Sequence, residues 1–246
     1  MSLSEKKPTP PVAAPPWGIP ATIAWVLAAF LVSTVAATGV FSVWRAAHPG
    51  PLTSNYDGVV IAIGALASIP VQIAILAFAA QLRRWRPADY FALNMPRRGE
   101  FVFAALCVVA IDLLFDILLY VTGHDLVPPF QVEAYQTAKD AGWLVWLTLA
   151  IVVVAPVGEE VAFRGFIYRG FAKPGWEIYA VVIIALVWAI LHIQYDWLGM
   201  AQIFTAGLML GWFRWASGST TLTIFMHVLI NAEAMLETVI KMELLS

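Results

Sequence analysis

The chain is poor in charge. Only 12% of its 246 residues are Asp, Glu, Lys or Arg, where a soluble domain carries roughly 25%. Apolar residues take their place: 61% of the chain is hydrophobic and the mean hydropathy is +0.80. No single soluble core hides that much apolar surface, so lipid must solvate much of it. Cysteine is nearly missing as well. The one thiol, Cys107, lies in an apolar run, which excludes an internal disulfide, and neither CxxC nor a Cys/His zinc pattern occurs. No excess of basic charge is present either. A net charge of −2 argues against a nucleic-acid partner.

What is there is a succession of apolar runs near the length of a bilayer span. They occupy about 21–43, 58–82, 101–121, 143–171, 177–195, 198–213 and 219–240. The predicted fold is all-α: a polytopic membrane helical bundle of about seven to eight transmembrane helices. Residues 1–20 are proline-rich and read as a mobile, extended tail. Residues 21–246 form one transmembrane domain, without an internal repeat or a second domain. The last run is one helix, or a helix and a surface turn, because Glu233, Glu237 and Lys241 interrupt it.

Basic residues in short loops mark the cytoplasmic side. With seven spans and the N-terminus inside, the inner side carries ten: Lys6, Lys7, Arg83, Arg84, Arg86, Arg97, Arg98, Arg169, Lys173 and Arg214. The outer side carries three, Arg45, Lys139 and Lys241. The expected topology is therefore N-terminus cytoplasmic. Compact loops suggest a bacterial or archaeal cell membrane rather than the endoplasmic reticulum.

Ionisable residues inside transmembrane helices are costly and usually functional. The fourth run contains Pro156-Val157-Gly158-Glu159-Glu160-Val161-Ala162-Phe163-Arg164. Glu160 and Arg164 are four apart and share a helix face, so they can pair. Glu159 points about 100° away and is left to face another helix. Pro156 lacks the amide donor and tends to kink the helix one turn earlier. Gly158 is expected to leave room beside the carboxylates. The bland alternative is an interfacial charge cluster at a helix end.

The fifth run supplies Trp188-x-x-x-His192, and the seventh His227-x-x-x-Asn231, whose members share a face. At 1.5 Å per residue, Glu159, His192, His227 and Asn231 all lie deep enough to meet near mid-membrane. Asp112 and Asp116 share a face of the third run. They could line the same cavity, balance Arg164, or sit near an interface. Gln72 and Gln202 read as helix–helix contacts.

Glu-Glu-x-x-x-Arg, aromatic-x-x-x-His and His-x-x-x-Asn in this order resemble the family of CAAX prenyl proteases and bacteriocin-processing enzymes, which are multi-helix intramembrane endopeptidases. The motifs lie within 156–231. One departure stands out: the family's second motif usually begins with Phe, and here it begins with Trp188. The resemblance implies that Glu159 is the base that activates a water and that His192 holds that water. It implies that His227 and Asn231 support the oxyanion. Glu160, Arg164 and Trp188 would support the site or orient substrate. The implied substrate is a peptide or protein, including one with a lipidated C-terminus, among membrane lipids.

Peptide hydrolysis needs these types independently of any family: a base within reach of a water and donors aimed at the oxyanion. No cofactor is required in this reading. The alternative is Zn²⁺ held by Glu159, His192 and His227 as a two-His, one-carboxylate site, although no His-Glu-x-x-His occurs. A rival of another class is a non-catalytic receptor or a small proton-coupled transporter using the same buried acids and histidines. Inverted repeats would support a transporter.

Overall fold

The computed structural model describes residues 14–49 and 56–245. Among these residues the chain is all-α: it forms nine helices and no strand. They are α1 Ile19–Ala47, α2 Gly58–Leu82, α3 Pro87–Tyr90, α4 Arg98–Thr122 and α5 Pro129–Asp140. There follow α6 Leu144–Phe171, α7 Glu177–Ile190, α8 Trp197–Ser217 and α9 Thr220–Leu244. Each of the seven apolar runs is one of these helices. The short α3 and α5 lie in the connections. Five helices, α1, α2, α4, α6 and α9, are long and apolar enough to cross a membrane. Their outer faces carry large exposed side chains such as Leu27, Phe30, Leu106, Ile117 and Tyr120. That surface suits hydrocarbon, where every backbone polar group must be satisfied inside the helix. The protein is a multi-pass integral membrane protein.

The helices begin and end on local signals. The Asp57 carboxylate accepts the amides of Val59 and Val60 at 2.9 and 3.2 Å and caps α2. Asp196 caps α8 through the Gly199 amide at 2.8 Å, and Ser219 caps α9 through the Leu222 amide at 3.2 Å. Gly218 ends α8 in the left-handed region, at φ 69°.

The loops gather at two ends. At one end lie residues 14–18, 83–97, 172–176 and the Gly218–Ser219 turn. There Ser219 Oγ donates to the Asn94 carbonyl, and Arg169 donates to the Asp89 and Tyr90 carbonyls. This end carries nearly all the arginines. The opposite end joins 123–143, 191–196 and the end of α9. There the Gly58 amide donates to Thr137 Oγ1 at 2.8 Å, and Tyr135 and Lys139 both donate to Glu243.

Four features bear on what the sequence predicts: three depart from it, and the last run resolves to one of its two readings. Residues 14–17 of the proline-rich segment are docked: the Ala14 amide donates to the Arg83 carbonyl at 3.0 Å, and Trp17 Nε1 to the Ala79 carbonyl at 2.9 Å. Residues 1–13, including Lys6 and Lys7, lie outside the described residues. The last run is one helix to Leu244 despite its acids. The fifth run stops as a helix at Ile190, five residues early, giving α7 only 14 residues, or about 21 Å. Non-helical backbone at such depth is tolerated where it lines a cavity, as His192, Gln194, Tyr195 and Asp196 do. The fourth is Gly158. A Cβ there would meet Ile69 Cγ2 at 2.5 Å, so the glycine admits α2 rather than opening space for water.

Helix α6 runs through the middle and touches α1, α2, α7, α8 and α9. It is regular only in part. Residues Ala150–Val154 and Val161–Ile167 are π-helical, flanking Ala155–Glu160. Such wide turns cluster at functional sites, and these two bracket the paired acids.

Candidate active site

Pro156 explains the first wide turn. In it, amides bond five residues back, as the Ala155 amide does to the Ala150 carbonyl. The next carbonyl, that of Ile151, would then need the amide of residue 156, which proline lacks. Asn231 on α9 supplies the donor instead, through Nδ2 at 2.8 Å. The predicted kink one turn before Pro156 is thus a π segment stitched to α9 by the asparagine of the third motif. One amide hydrogen of Asn231 is used in this way; its second hydrogen and its Oδ1 remain beside the cavity.

The two adjacent acids have separate environments. Glu160 is fully buried beneath the cavity. Its Oε1 accepts Arg164 Nη1 at 2.9 Å, as the spacing predicts, and faces His227 Nδ1 at 3.0 Å. Arg164, 1% exposed, also donates through Nη2 to the Gly207 carbonyl at 3.1 Å. A Cβ at Gly207 would lie 3.1 Å from both Ala185 Cβ and Trp188 Cε3. The glycine therefore lets α8 approach the guanidinium and the indole. The Arg164 carbonyl accepts Arg214 Nε at 2.9 Å.

Glu159 points the other way, into the cavity. Trp188 Nε1 donates to its Oε2 at 2.6 Å. The Trp188 ring stacks under the Arg164 guanidinium at 4.8 Å and meets the rings of His192 and His227 edge-on at 5.0 and 5.2 Å. One indole therefore touches both acid environments and both histidines. His192 lies just past the end of α7, and its Nδ1 contacts the Trp188 carbonyl at 2.8 Å. That carbonyl can only accept, so Nδ1 carries the proton. His227 Nδ1 likewise faces a carboxylate. In both rings Nε2 is the nitrogen left for other chemistry.

The cavity has a volume of about 880 Å³ and is lined by Glu159, Trp188, His192, His227 and Asn231. Asp112 and Asp116 line it as well. Glu160 and Arg164 do not; they contact His227 and Trp188, which do. The cavity reaches the end of the bundle opposite the arginines, between residues 123–131 and 194–196. Sequence reasoning missed Tyr195 and Gln131 there: Gln131 Nε2 donates to Tyr195 Oη at 3.1 Å. Sequence reasoning also took Gln202 for a helix–helix contact and Glu233 and Glu237 for interruptions of a helix, whereas all three line the cavity.

Among the described residues, the His, Cys, Asp and Glu side chains whose ligand atoms come within 4.8 Å of one another are Asp116, Glu233 and Glu237, not Glu159, His192 and His227. Each of the latter three spends one polar atom on a protein partner.

Comparison with known proteins bears on the segment that carries this geometry. A family model described as type II CAAX prenyl endopeptidase, Rce1-like, matches residues 141–232. The match covers the whole of α6, α7 and α8 and the first half of α9, and it agrees with the resemblance carried by the three motifs. The family is one of peptide hydrolases. No curated protein and no solved structure matches the chain.

Proposed function

We propose that this chain, whose residues 141–232 match the Rce1-like CAAX prenyl endopeptidases, is an intramembrane endopeptidase that hydrolyses a peptide bond with a water activated by Glu159. The observation that carries the reading is the division of labour between neighbouring acids. Glu160 is spent on Arg164 and His227, whereas Glu159 faces the cavity, held by the Trp188 indole.

The steps follow from that division. A water in the cavity lies against Glu159, which takes its proton as the resulting hydroxide attacks the scissile carbonyl carbon. The carbonyl π pair moves onto oxygen. The oxyanion is met by donors in place before the reaction, which is where such sites gain most of their rate. His227, held at Nδ1 by the Glu160 carboxylate, turns Nε2 to the oxyanion. His192, locked by the Trp188 carbonyl, presents Nε2 to the water. When the intermediate collapses, the proton on Glu159 passes to the departing amine. Asn231 acts by fixing the wide turn that aims Glu159, and its second amide hydrogen is available to the oxyanion. No step needs a metal at Glu159, His192 and His227.

The substrate is a peptide segment that enters from the membrane, including one with a lipidated C-terminus. The test is cleavage of a reporter peptide by the purified chain in detergent or liposomes. Glu159→Gln should insert and fold as wild type and lose nearly all turnover. Wild-type turnover in that variant would remove Glu159 from the mechanism, and a wild-type chain that cleaves nothing would make a receptor or transporter the better reading.

A further inference from the structure

The cavity contains a second polar group that the hydrolytic reading does not use. Helix α4 contributes Asp112 and Asp116, and α9, packed against it, contributes Glu233 and Glu237. Each pair is four residues apart, so each helix turns both its acids to the same side. Oxygens of Asp116, Glu233 and Glu237 all lie within 4.8 Å of one another. All four residues line the cavity.

Asp112 is the independent observation. It is 4% exposed, and its Oδ2 is buried without a hydrogen-bond partner. The side chain is aimed at the cluster: Glu233 lies within hydrogen-bonding reach, and Asp116 and Glu237 act on it electrostatically. Among the described residues no Lys, Arg or His forms an ion pair with any of the four. Lys241, one turn beyond Glu237, is directed instead to the Val127 carbonyl and to Asp125. A group of carboxylates at membrane depth without a counter-charge is costly.

We propose that Asp116, Glu233 and Glu237, with the Asp112 carboxylate beside them, bind one hard divalent cation of the Ca²⁺, Mg²⁺ or Mn²⁺ kind, which ties α4 to α9 beside the hydrolytic groups. The donor set is all oxygen, which suits these ions better than zinc or copper. Calcium binds oxygens at about 2.3–2.6 Å, so oxygens on opposite sides of the ion sit roughly 5 Å apart, a span that the observed spacing meets. The cavity leaves room for water to complete the coordination. The ion would neutralise the cluster and supply the buried Asp112 oxygen with its partner. The proposal stands apart from the hydrolytic reading, because its measurement does not need turnover.

The test is titration of the purified full-length chain with Mn²⁺, followed by electron paramagnetic resonance of the free ion, with Ca²⁺ as competitor. Wild type should take up one Mn²⁺ that Ca²⁺ displaces, and Ca²⁺ should raise its melting temperature. Glu159→Gln should bind as wild type does. Glu233→Gln/Glu237→Gln should lose the uptake and the Ca²⁺ shift. Asp116→Asn should weaken uptake at least tenfold, and it serves where the double variant fails to fold. Three results would overturn the proposal: no saturable uptake by wild type, uptake that survives all the cluster substitutions, or uptake abolished by Glu159→Gln. The first would mean that the acids share protons instead, and the last that the ion sits among the hydrolytic groups.

Discussion

Asn231 donates to the carbonyl of Ile151, 80 residues away in the chain, at 2.8 Å, and it does so where Pro156 withholds the backbone amide. The pair makes the third motif structural as well as chemical. Asn231→Ala should leave a buried carbonyl unsatisfied, at a cost of roughly 1–3 kcal/mol, seen as a lower melting temperature in detergent. Pro156→Ala restores an amide at the position that the π register needs. The double variant should therefore recover part of the stability lost by Asn231→Ala alone. Strict additivity of the two substitutions would show that the residues do not share this acceptor.

Glu160 and Arg164 should respond to substitution differently from Glu159. Both are essentially buried, and removing one member of a buried pair typically costs about 3–5 kcal/mol because the other charge is stranded. Arg164→Ala should lower thermal stability strongly, and turnover with it. If it melts like wild type and only substrate affinity falls, Arg164 is a substrate contact and the pair contributes little to the fold.

Much of this arrangement was legible in the sequence, for reasons that differ by residue. The seven helices show because lipid-facing positions on every side must be apolar, as Leu27, Leu106 and Ile117 are. The Glu160–Arg164 pair shows because it is local, one turn apart. Long-range choices were not legible. Apolar composition continues through Leu191 and Ile193, so nothing in composition stops α7 at Ile190; the contact of His192 with the Trp188 carbonyl accompanies that end. Gly158 carries no mark of whether its missing side chain opens a cavity or admits Ile69. The paired spacing of Glu233 and Glu237 on α9 matches that of Asp112 and Asp116 on α4, but only the packing of the two helices shows that they face each other.

Trp188 joins the two halves of the site, and its parts can be separated. Trp188→Phe removes the indole donor to Glu159 but keeps a ring against Arg164 and the histidines. It should fold and retain measurable turnover, since Phe is the residue that the resembled family usually has there. Trp188→Ala also removes the ring. Large aromatic-to-alanine changes in a core cost about 3–5 kcal/mol, and Trp188 is 4% exposed. An alanine variant as stable as the phenylalanine variant would mean that the ring does not organise the site.

The arginine-rich end should face the cytoplasm, by the rule that short basic loops stay inside. The cavity would then open toward the other face. Replacing Cys107 by Ala gives a thiol-free background. Lys173→Cys and Asp140→Cys, at the two ends, can then be labelled with a membrane-impermeant maleimide in sealed right-side-out vesicles. Labelling should reach Asp140→Cys and spare Lys173→Cys. The reverse pattern would invert the topology and put the cavity mouth on the cytoplasmic side.

Chelators should separate the two candidate roles for metal. 1,10-Phenanthroline strips zinc but binds Ca²⁺ and Mg²⁺ poorly, whereas EDTA removes all three. If Glu159, His192 and His227 work through water and hydrogen bonds alone, phenanthroline should leave cleavage intact. EDTA should lower the melting temperature through loss of the cation at Asp116, Glu233 and Glu237, and added Ca²⁺ should reverse the effect. Each of His192→Ala and His227→Ala should still cut turnover, since loss of one donor to an oxyanion typically costs about 10²–10³ in kcat. A zinc enzyme makes the opposite forecast: phenanthroline abolishes cleavage, Zn²⁺ restores it, and elemental analysis finds stoichiometric zinc that disappears in both histidine variants. The ligand atoms of Glu159, His192 and His227 do not form a group within 4.8 Å of one another. Each histidine does present Nε2 with its other nitrogen held by a partner, as metal-bound histidines also do. Zinc analysis of the two histidine variants is therefore the decisive arm, and zinc lost in both would make Glu159 a metal ligand rather than the base while leaving the proposed peptide hydrolysis standing.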